Sequence, residues 1–329
     1  MRTTGSFVRT FGVALMMAFV AGCGGALTKM PTNGKMPTNG ATIPQANLHR
    51  SRMLPAASGD LVYATGGCGG VCVFSYPSGT LEAKISLTFP VGGDCSDSEG
   101  NVFVTNGAEI LEYAHGGTAP IATLAVPGVY AAACGVDPKT GNLAVAFGGG
   151  SVGNIAIFSN ATGSPTIYDA GQGAMYCGYD DSGNLFVSGV LNQRDALAEL
   201  GYGNSSFTPI TLNGNPVGHG QVQWDGKYIT IQKQVRPDVT ISRLTVSGSA
   251  ATVVSKTRLK GPKWATQSWI AGDRVITPYS TRGGVTSKIG AWRYPKSGKI
   301  VMKFGDFGQS KATRILGVTL SHTQETSEH

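Results

Sequence analysis

From residue 59 onward the apolar residues fall in short runs rich in Val, Ile, Phe and Tyr, and the runs are separated by Gly, Asn, Asp, Ser and Pro. Runs such as VCVFSY from Val71, VFVT from Val102, NIAIFS from Asn154 and TISRLTV from Thr240 have the alternation and β-branched content of strands, with turn residues between them. No stretch beyond residue 60 carries a helical period, so the body is expected to be all-β. Six segments repeat one pattern, a Gly, a polar residue and a short apolar strand, starting at Gly59, Gly100, Gly141, Gly183, Gly226 and Gly272. Their spacings are 41, 41, 42, 43 and 46 residues. A period of that length with several short strands per unit predicts a β-propeller of four-stranded blades.

The clearest units are CSDSEGNVFVTN from Cys95, CGVDPKTGNLAVAF from Cys134 and CGYDDSGNLFVSG from Cys177, each an inner strand, an Asp/Gly turn and an apolar second strand. After the sixth outer strand, KIVMKF from Lys299, the run Ile315 to Leu320 resembles an inner strand without a following Gly turn. The first unit lacks a convincing inner strand of its own. The expected architecture is therefore a six-bladed β-propeller closed by a C-terminal strand in blade one, which removes an exposed edge. The propeller is expected over residues 51–321, followed by a polar tail at 322–329.

The N-terminus carries Arg2 and Arg9, then an apolar run from Phe11 to Val20 that ends in VAGC. This is a secretory signal pattern, 1–22, with an apolar run too short to span a bilayer comfortably. Cys23 after small residues resembles a bacterial lipobox, in which the thiol is acylated and becomes the first mature residue; the alternative is an ordinary cut near Ala26. The triacylated Cys23 that this resemblance implies is a stable membrane anchor, because several acyl chains hold firmly where one does not. Gly24 is not the acidic residue that marks inner-membrane retention, so an outer-membrane or surface address is expected. Residues 23–50 contain the tandem KMPTNGKMPTNG and lack core-forming residues, so they are expected to form a disordered tether.

The lipobox, the tether, FSYPSGTLEAKI from Phe74, GNVFVTN from Gly100, ILEYAHGGTAPIATL from Ile110, VDPKTGNLAV and QWDGKYI together resemble bacterial secreted propeller lipoproteins related to the NHL and YVTN-type propellers. Such proteins are usually left without an assigned activity. The resemblance implies a fold and leaves the ligand open, since one fold hosts many functions.

Five cysteines remain after Cys23 in an oxidising setting. Cys68 and Cys72 flank a Gly-Gly-Val tip where disulfide distance is reachable; zinc is the rival, a poor one for two thiols with no nearby His. Cys95 lies two residues before its turn Asp, whereas Cys134 and Cys177 lie three before theirs, so Cys95 points the opposite way. If it faces blade three it meets Cys134 and leaves Cys177 buried and inert; the alternative is that all three are packing residues.

Charge divides the chain. Residues 24–218 hold 7 basic against 13 acidic side chains, and residues 219–329 hold 17 against 6. Lys256, Arg258, Lys260 and Lys263 are the candidate basic patch for an anionic partner, with solvated edge-protecting lysines as the alternative. Trp224, Trp264 and Trp269 are the candidate aromatic contacts. No Ser/His/Asp order, HExxH or clustered metal-ligand spacing is present, and Asp97, Asp137, Asp180 and Asp225 occupy equivalent turn positions where Asp caps its own backbone. No catalytic residue, metal or cofactor is therefore expected. The favoured function is a monomeric surface-anchored binding or scaffolding lipoprotein that presents propeller loops to an envelope glycan or protein; nucleic acid is excluded by export. The alternative is a metal-dependent hydrolase or lyase acting in the central channel.

Overall fold

The computed structural model describes residues 59–88, 91–128, 130–149, 152–213, 218–234, 239–282, 285–307 and 314–323. The signal peptide, Cys23 and the tether lie outside the described residues. The repeat produces strands in groups. The first group is β1 (Leu61–Gly66), β2 (Gly70–Ser75) and β3 (Leu81–Ser86), and the second is β4 (Val91–Ser96), β5 (Val102–Asn106), β6 (Glu109–Tyr113) and β7 (Ala122–Ala125). The third is β8 (Ala131–Val136), β9 (Leu143–Gly149), β10 (Val152–Phe158) and β11 (Thr166–Asp169), and the fourth β12 (Tyr176–Tyr179), β13 (Leu185–Leu191), β14 (Arg194–Leu200) and β15 (Thr208–Asn213). The fifth is β16 (Val222–Trp224), β17 (Ile229–Lys233), β18 (Val239–Ser247) and β19 (Ala250–Lys260). The sixth is β20 (Trp264–Ala265), β21 (Trp269–Ala271), β22 (Arg274–Ser280), β23 (Lys288–Arg293) and β24 (Gly298–Asp306), and β25 (Ile315–Ser321) follows. A single 3-10 turn, Ser159–Ala161, is the only helical element among the described residues.

The repeated Gly has a conformational reason. Asp97 Oδ1 accepts from the Glu99 and Asn101 N–H groups at 2.9 and 2.8 Å, and Oδ2 from the Asn101 side chain at 2.9 Å. Asp180 repeats this with Ser182 and Asn184. These turns end on Gly100 and Gly183, both at φ 85°, a left-handed conformation that glycine adopts without steric cost. The Asp-x-x-Gly-Asn signal therefore encodes a turn that delivers the next strand in antiparallel register.

Within the first five groups the strands pair antiparallel in chain order, in the sixth β20 and β21 both pair with β22, and β25 pairs antiparallel with β1 from Leu61↔Ser321 to Gly66↔Ile315, giving a sheet ordered β25-β1-β2-β3. One feature departs from the expectation of separate blades. Parallel pairs Thr211↔Ala250 to Asn213↔Thr252 and Leu259↔Gly298 to Lys260↔Lys299 join the outer strands of the last three groups, because the 11-residue β19 is long enough to meet β15 at one end and β24 at the other.

Apolar side chains pack between groups. Leu61, Tyr63 and Val71 meet Val102, Val104 and Tyr113; Phe103 and Ile110 meet Leu143 and Val145; Ala144 and Ile155 meet Leu185 and Val187. Phe186 and Leu197 meet Ile229 and Ile231; Ile241 and Leu259 meet Val275 and Trp292; Ile276, Ile289 and Phe304 meet Val62, Phe74 and Val318. Disulfides link Cys68 to Cys72 and Cys95 to Cys134, each with Cα atoms 5.6 Å apart, and Cys177 is free and buried. The Cys95–Cys134 bridge closes a separation of 39 residues across the second and third groups, which on chain-entropy grounds stabilises by about 4 kcal/mol.

The boundary drawn at residue 321 needs one adjustment. His322 Nδ1 lies 3.1 Å from Asp60 Oδ2, and the Thr323 N–H donates to Asp60 Oδ1 at 3.0 Å, so these two residues belong to the folded body rather than to a polar tail. Removal of residues 324–329 is expected to leave the thermal midpoint unchanged. Truncation before Ile315 strips β1 of its partner and is expected to give aggregation or a midpoint lower by many degrees; equal midpoints in a melting experiment overturn the structural role of β25.

Candidate functional site

The innermost strands converge on a cavity of about 270 Å³. It is lined by Ser96 and Asp97 after β4, Gly135 and Val136 of β8, Gly178 and Tyr179 of β12, Gln221 to Trp224 at β16, Trp269 of β21 and His322 after β25. Each strand group thus contributes at one end of its innermost strand. Trp224 and Trp269 are half-buried, with Trp269 packed against the apolar residues on both sides of it. Gln223 fixes their two strands together: its Nε2 donates to the Ile270 carbonyl at 3.0 Å and its Oε1 accepts from the Ile270 N–H at 2.8 Å. Gln221 is 4% exposed; its Nε2 donates to the Val222 carbonyl, while its Oε1 has no partner among the described residues. The arrangement is an aromatic wall at the cavity, which suits a small ligand with an apolar face.

A larger cleft of about 510 Å³ lies between the second and third groups and is lined by Asp97, Glu99, Glu112, Asp137 and Lys139. Two of its carboxylates are committed to turns: Asp97 as above, and Asp137 to the Lys139 N–H at 2.9 Å and the Thr140 hydroxyl at 2.5 Å. Burial, reinforced by the neighbouring Asp97 and Glu99, raises the Glu112 carboxyl above its ordinary range. The cleft is acidic, but its two aspartates serve the turns that line it.

The sequence-derived binding residues are divided by the fold. Lys256, Arg258 and Lys260 occupy alternate exposed positions of β19, the outer strand of the fifth group, and Lys263 is exposed just beyond it. Trp224 and Trp269 stand on innermost strands, so Lys256 and Trp224 are separated by three strand spacings, roughly 14 Å across the sheet. Trp264 belongs to β20, where its indole N–H is buried without a partner among the described residues. A single patch of lysines and tryptophans is therefore not formed; the strand order within each group sends basic residues to the rim and aromatic ones inward.

The histidines are likewise dispersed. His219 Nδ1 lies 2.8 Å from Asp195 Oδ1, and His115 bridges Ser321 Oγ at 2.6 Å and the Gly59 carbonyl at 3.2 Å. Among the described residues no group of three or more His, Cys, Asp and Glu side chains is arranged to hold a metal. Cys177, at the cavity wall, donates its S–H to the Ala144 carbonyl at 3.6 Å, and burial pushes its thiol up to about 12, which leaves it unreactive at neutral pH.

Asp225 departs from its equivalents. Besides the Lys227 and Tyr228 N–H groups on Oδ1, its Oδ2 accepts from Arg243 Nε at 2.5 Å and from the Tyr294 hydroxyl, while Arg243 Nε also donates to the Tyr294 oxygen at 3.0 Å. This cluster ties the fifth group to the sixth beneath the Trp-lined cavity wall. Burial works to raise the Asp225 carboxyl, but the bonds from Tyr294, Tyr228 and Arg243 and the Arg243 charge outweigh it and hold it below its ordinary value.

No family model matches the chain, and no curated protein matches it. Solved structures do. A protein of unknown function from Bacteroides caccae superposes with a TM-score of 0.60 at 12% identity, covering 80% of this chain and 99% of the other. A nidogen/laminin complex matches with a TM-score of 0.59 at 14% identity over 81% of this chain and 100% of the other. A functionally unknown protein from Desulfotomaculum acetoxidans gives 0.53 at 11% identity over 82% and 88%. At such identities the likeness concerns the fold alone, and together with the all-β sheets it defines a propeller-like protein. The resemblance to NHL and YVTN-type propellers extends no further than that.

Asp225→Asn is expected to cost about 3 kcal/mol, because it leaves a largely buried Arg243 unpaired. A carboxylate held below its unfolded value contributes stability that is present above that value and lost as pH falls, so the variant also has a flatter acid limb. Urea unfolding at neutral and acidic pH measures both; a wild-type pH profile in the variant contradicts the assignment.

Proposed function

We propose that the chain is a six-bladed β-propeller, anchored at a bacterial envelope surface by an acylated Cys23, that binds an envelope glycan in its axial cavity. The ring reading is supported by the six apolar interfaces, the last of which joins the sixth group to the first, and by the β25–β1 pairing. The single observation that carries the ligand reading is the cavity itself: Trp224 and Trp269 offer flat apolar faces to a sugar ring. The exposed Lys256, Arg258, Lys260 and Lys263 serve a second purpose, raising the local concentration of anionic glycan by long-range attraction.

Titration calorimetry with envelope-derived oligosaccharides tests the site. Trp224→Ala and Trp269→Ala are each expected to weaken binding at least about tenfold, roughly 1.4 kcal/mol, without loss of fold by circular dichroism. Replacing the four basic residues with Gln is expected to reduce only the salt-sensitive part of the affinity, with little change in melting, since exposed charges contribute about 0–1 kcal/mol each. Binding that survives both tryptophan substitutions, or the absence of any glycan binding, removes the reading.

Anchoring has its own test. Cys23→Ser is expected to release the protein from membranes or to leave it with an uncleaved signal. A variant that is processed and fractionates with membranes as before shows that Cys23 is not the anchor.

A further inference from the structure

Asp94, on β4, has no exposed surface, and neither carboxyl oxygen has a hydrogen-bond partner among the described residues. Its surroundings are oxygen-rich. Gln267, in the segment between β20 and β21, reaches the same strand: its Oε1 accepts from the Asp94 N–H at 3.0 Å and its Nε2 donates to the Asp94 carbonyl. Thr65, on β1, donates its hydroxyl to the Gly92 carbonyl at 2.7 Å. Gly317, paired with Thr65, reveals how closely these groups converge. A Cβ at that position would lie 2.6 Å from Gln267 Oε1 and 2.7 Å from both Asp94 Oδ1 and Thr65 Oγ1.

Three oxygens from three strand groups thus surround one point beside a residue without a side chain. The donors of the cluster bond to backbone carbonyls and not to the carboxylate: the Gln267 amide to Asp94 O and the Thr65 hydroxyl to Gly92 O. What remains is a surplus of acceptors, since an amide carbonyl and a hydroxyl oxygen each keep a free lone pair and the carboxylate keeps all of its own. Burying an ionised carboxylate without compensation is costly, and burial accordingly raises the Asp94 carboxyl well above its ordinary range. An acceptor cluster with one negative charge is neutralised by one positive charge. A divalent ion would leave a buried excess of charge, and a soft metal finds no sulfur or imidazole here.

We propose that Asp94, Gln267 and Thr65 form an axial site for a hard monovalent cation of sodium size, which links the first, second and sixth strand groups. The site is separate from the Trp-lined cavity and does not depend on the glycan reading. Its function is to let the inner strands converge with a charged group at the axis.

The test is thermal unfolding of the full chain at mildly alkaline pH and constant ionic strength, with choline chloride replaced stepwise by sodium chloride. Sodium is expected to raise the midpoint by about 3 °C when it is tenfold above its dissociation constant, and further with the logarithm of its concentration, and potassium by less. Asp94→Asn keeps the shape of the side chain and is expected to abolish the sodium-specific increment. Gly317→Ala places a methyl group among the three oxygens and is expected to do the same. Equal wild-type midpoints in sodium and choline overturn the proposal, even if the variants do not fold. So does an increment that persists in folded Asp94→Asn, or a larger one produced by calcium at lower concentration.

Discussion

The antiparallel pairing of β25 with β1 is the constraint on which the remaining structure depends. Every other antiparallel pair is made by strands close in sequence, delivered by short turns. This one joins residues 249 to 260 positions apart, so it carries a loop-closure cost that no local turn offsets. What offsets it is packing: Ile315, Val318 and Leu320 of β25 are buried with Val62, Phe74, Ile276 and Phe304. Polar contacts then fix the register, with Ser96 Oγ bonded to the Leu320 carbonyl at 2.7 Å and close to Thr319 Oγ1 at 2.9 Å. Non-local pairing of this kind also makes slow folding the expectation, since the closing contact is available only after the intervening strands are placed.

Polarity changes with distance from the axis. Between groups the interfaces are aliphatic and aromatic, whereas the inner ends of the strands carry buried Thr65, Asp94, Thr105, Ser188 and Gln267. The chemistry follows from the geometry. Inner strands that approach one another present backbone carbonyls that need donors, and short hydroxyl or amide side chains supply them: Thr65 on Gly92 O, Thr105 on Gly93 O at 2.9 Å and Ser188 on Gly220 O at 2.6 Å. A satisfied polar network is more directional than apolar contact, so it defines which strands are neighbours. Asp94 is the exception within that network, which is why its orphaned oxygens point to a ligand rather than to structure alone.

Turns and strands were legible in the sequence because their causes are local. The Asp97 and Asp180 turns and their glycines are complete within a few residues, and the third strands from Val71 to Ile289 follow from alternation alone. The Cys95–Cys134 bridge was only half legible: the two-residue periodicity sets Cys95 opposite to Cys134 and Cys177, which left pairing and simple packing both open, and the structure forms the pair. The site was less so. Asp94 stands in VGGDCS, which resembles turn sequence, and its partner Gln267 is 173 residues away. The separation of Lys256 from Trp224 depends on strand order within a sheet, and a net charge over half a chain contains no such information. The parallel contacts of β19 were missed because they follow from its length of 11 residues, which exceeds that of the outer strands in the other groups, the 9-residue β24 included.

The place of the cavity follows from the same division. At the ends of the innermost strands segments from every group line one cavity, so a ligand bound there as proposed would draw on backbones already fixed by packing between groups. The tryptophans that wall it stand on β16 and β21, and these strands are joined by Gln223, while the Asp225–Arg243–Tyr294 cluster ties the turn after β16 to β18 and to the residue after β23. Side chains held from two directions lose little conformational freedom when a ligand arrives, which is the usual cost of assembling a site from loops. The basic rim has no such support: Lys256, Arg258 and Lys260 are exposed on an outer strand, suited to attracting charge at a distance rather than to fixing a ligand's orientation. In the proposed glycan reading, orientation therefore belongs to the Trp-lined cavity and attraction to the outer strand of the fifth group, and a change at either one leaves the other intact.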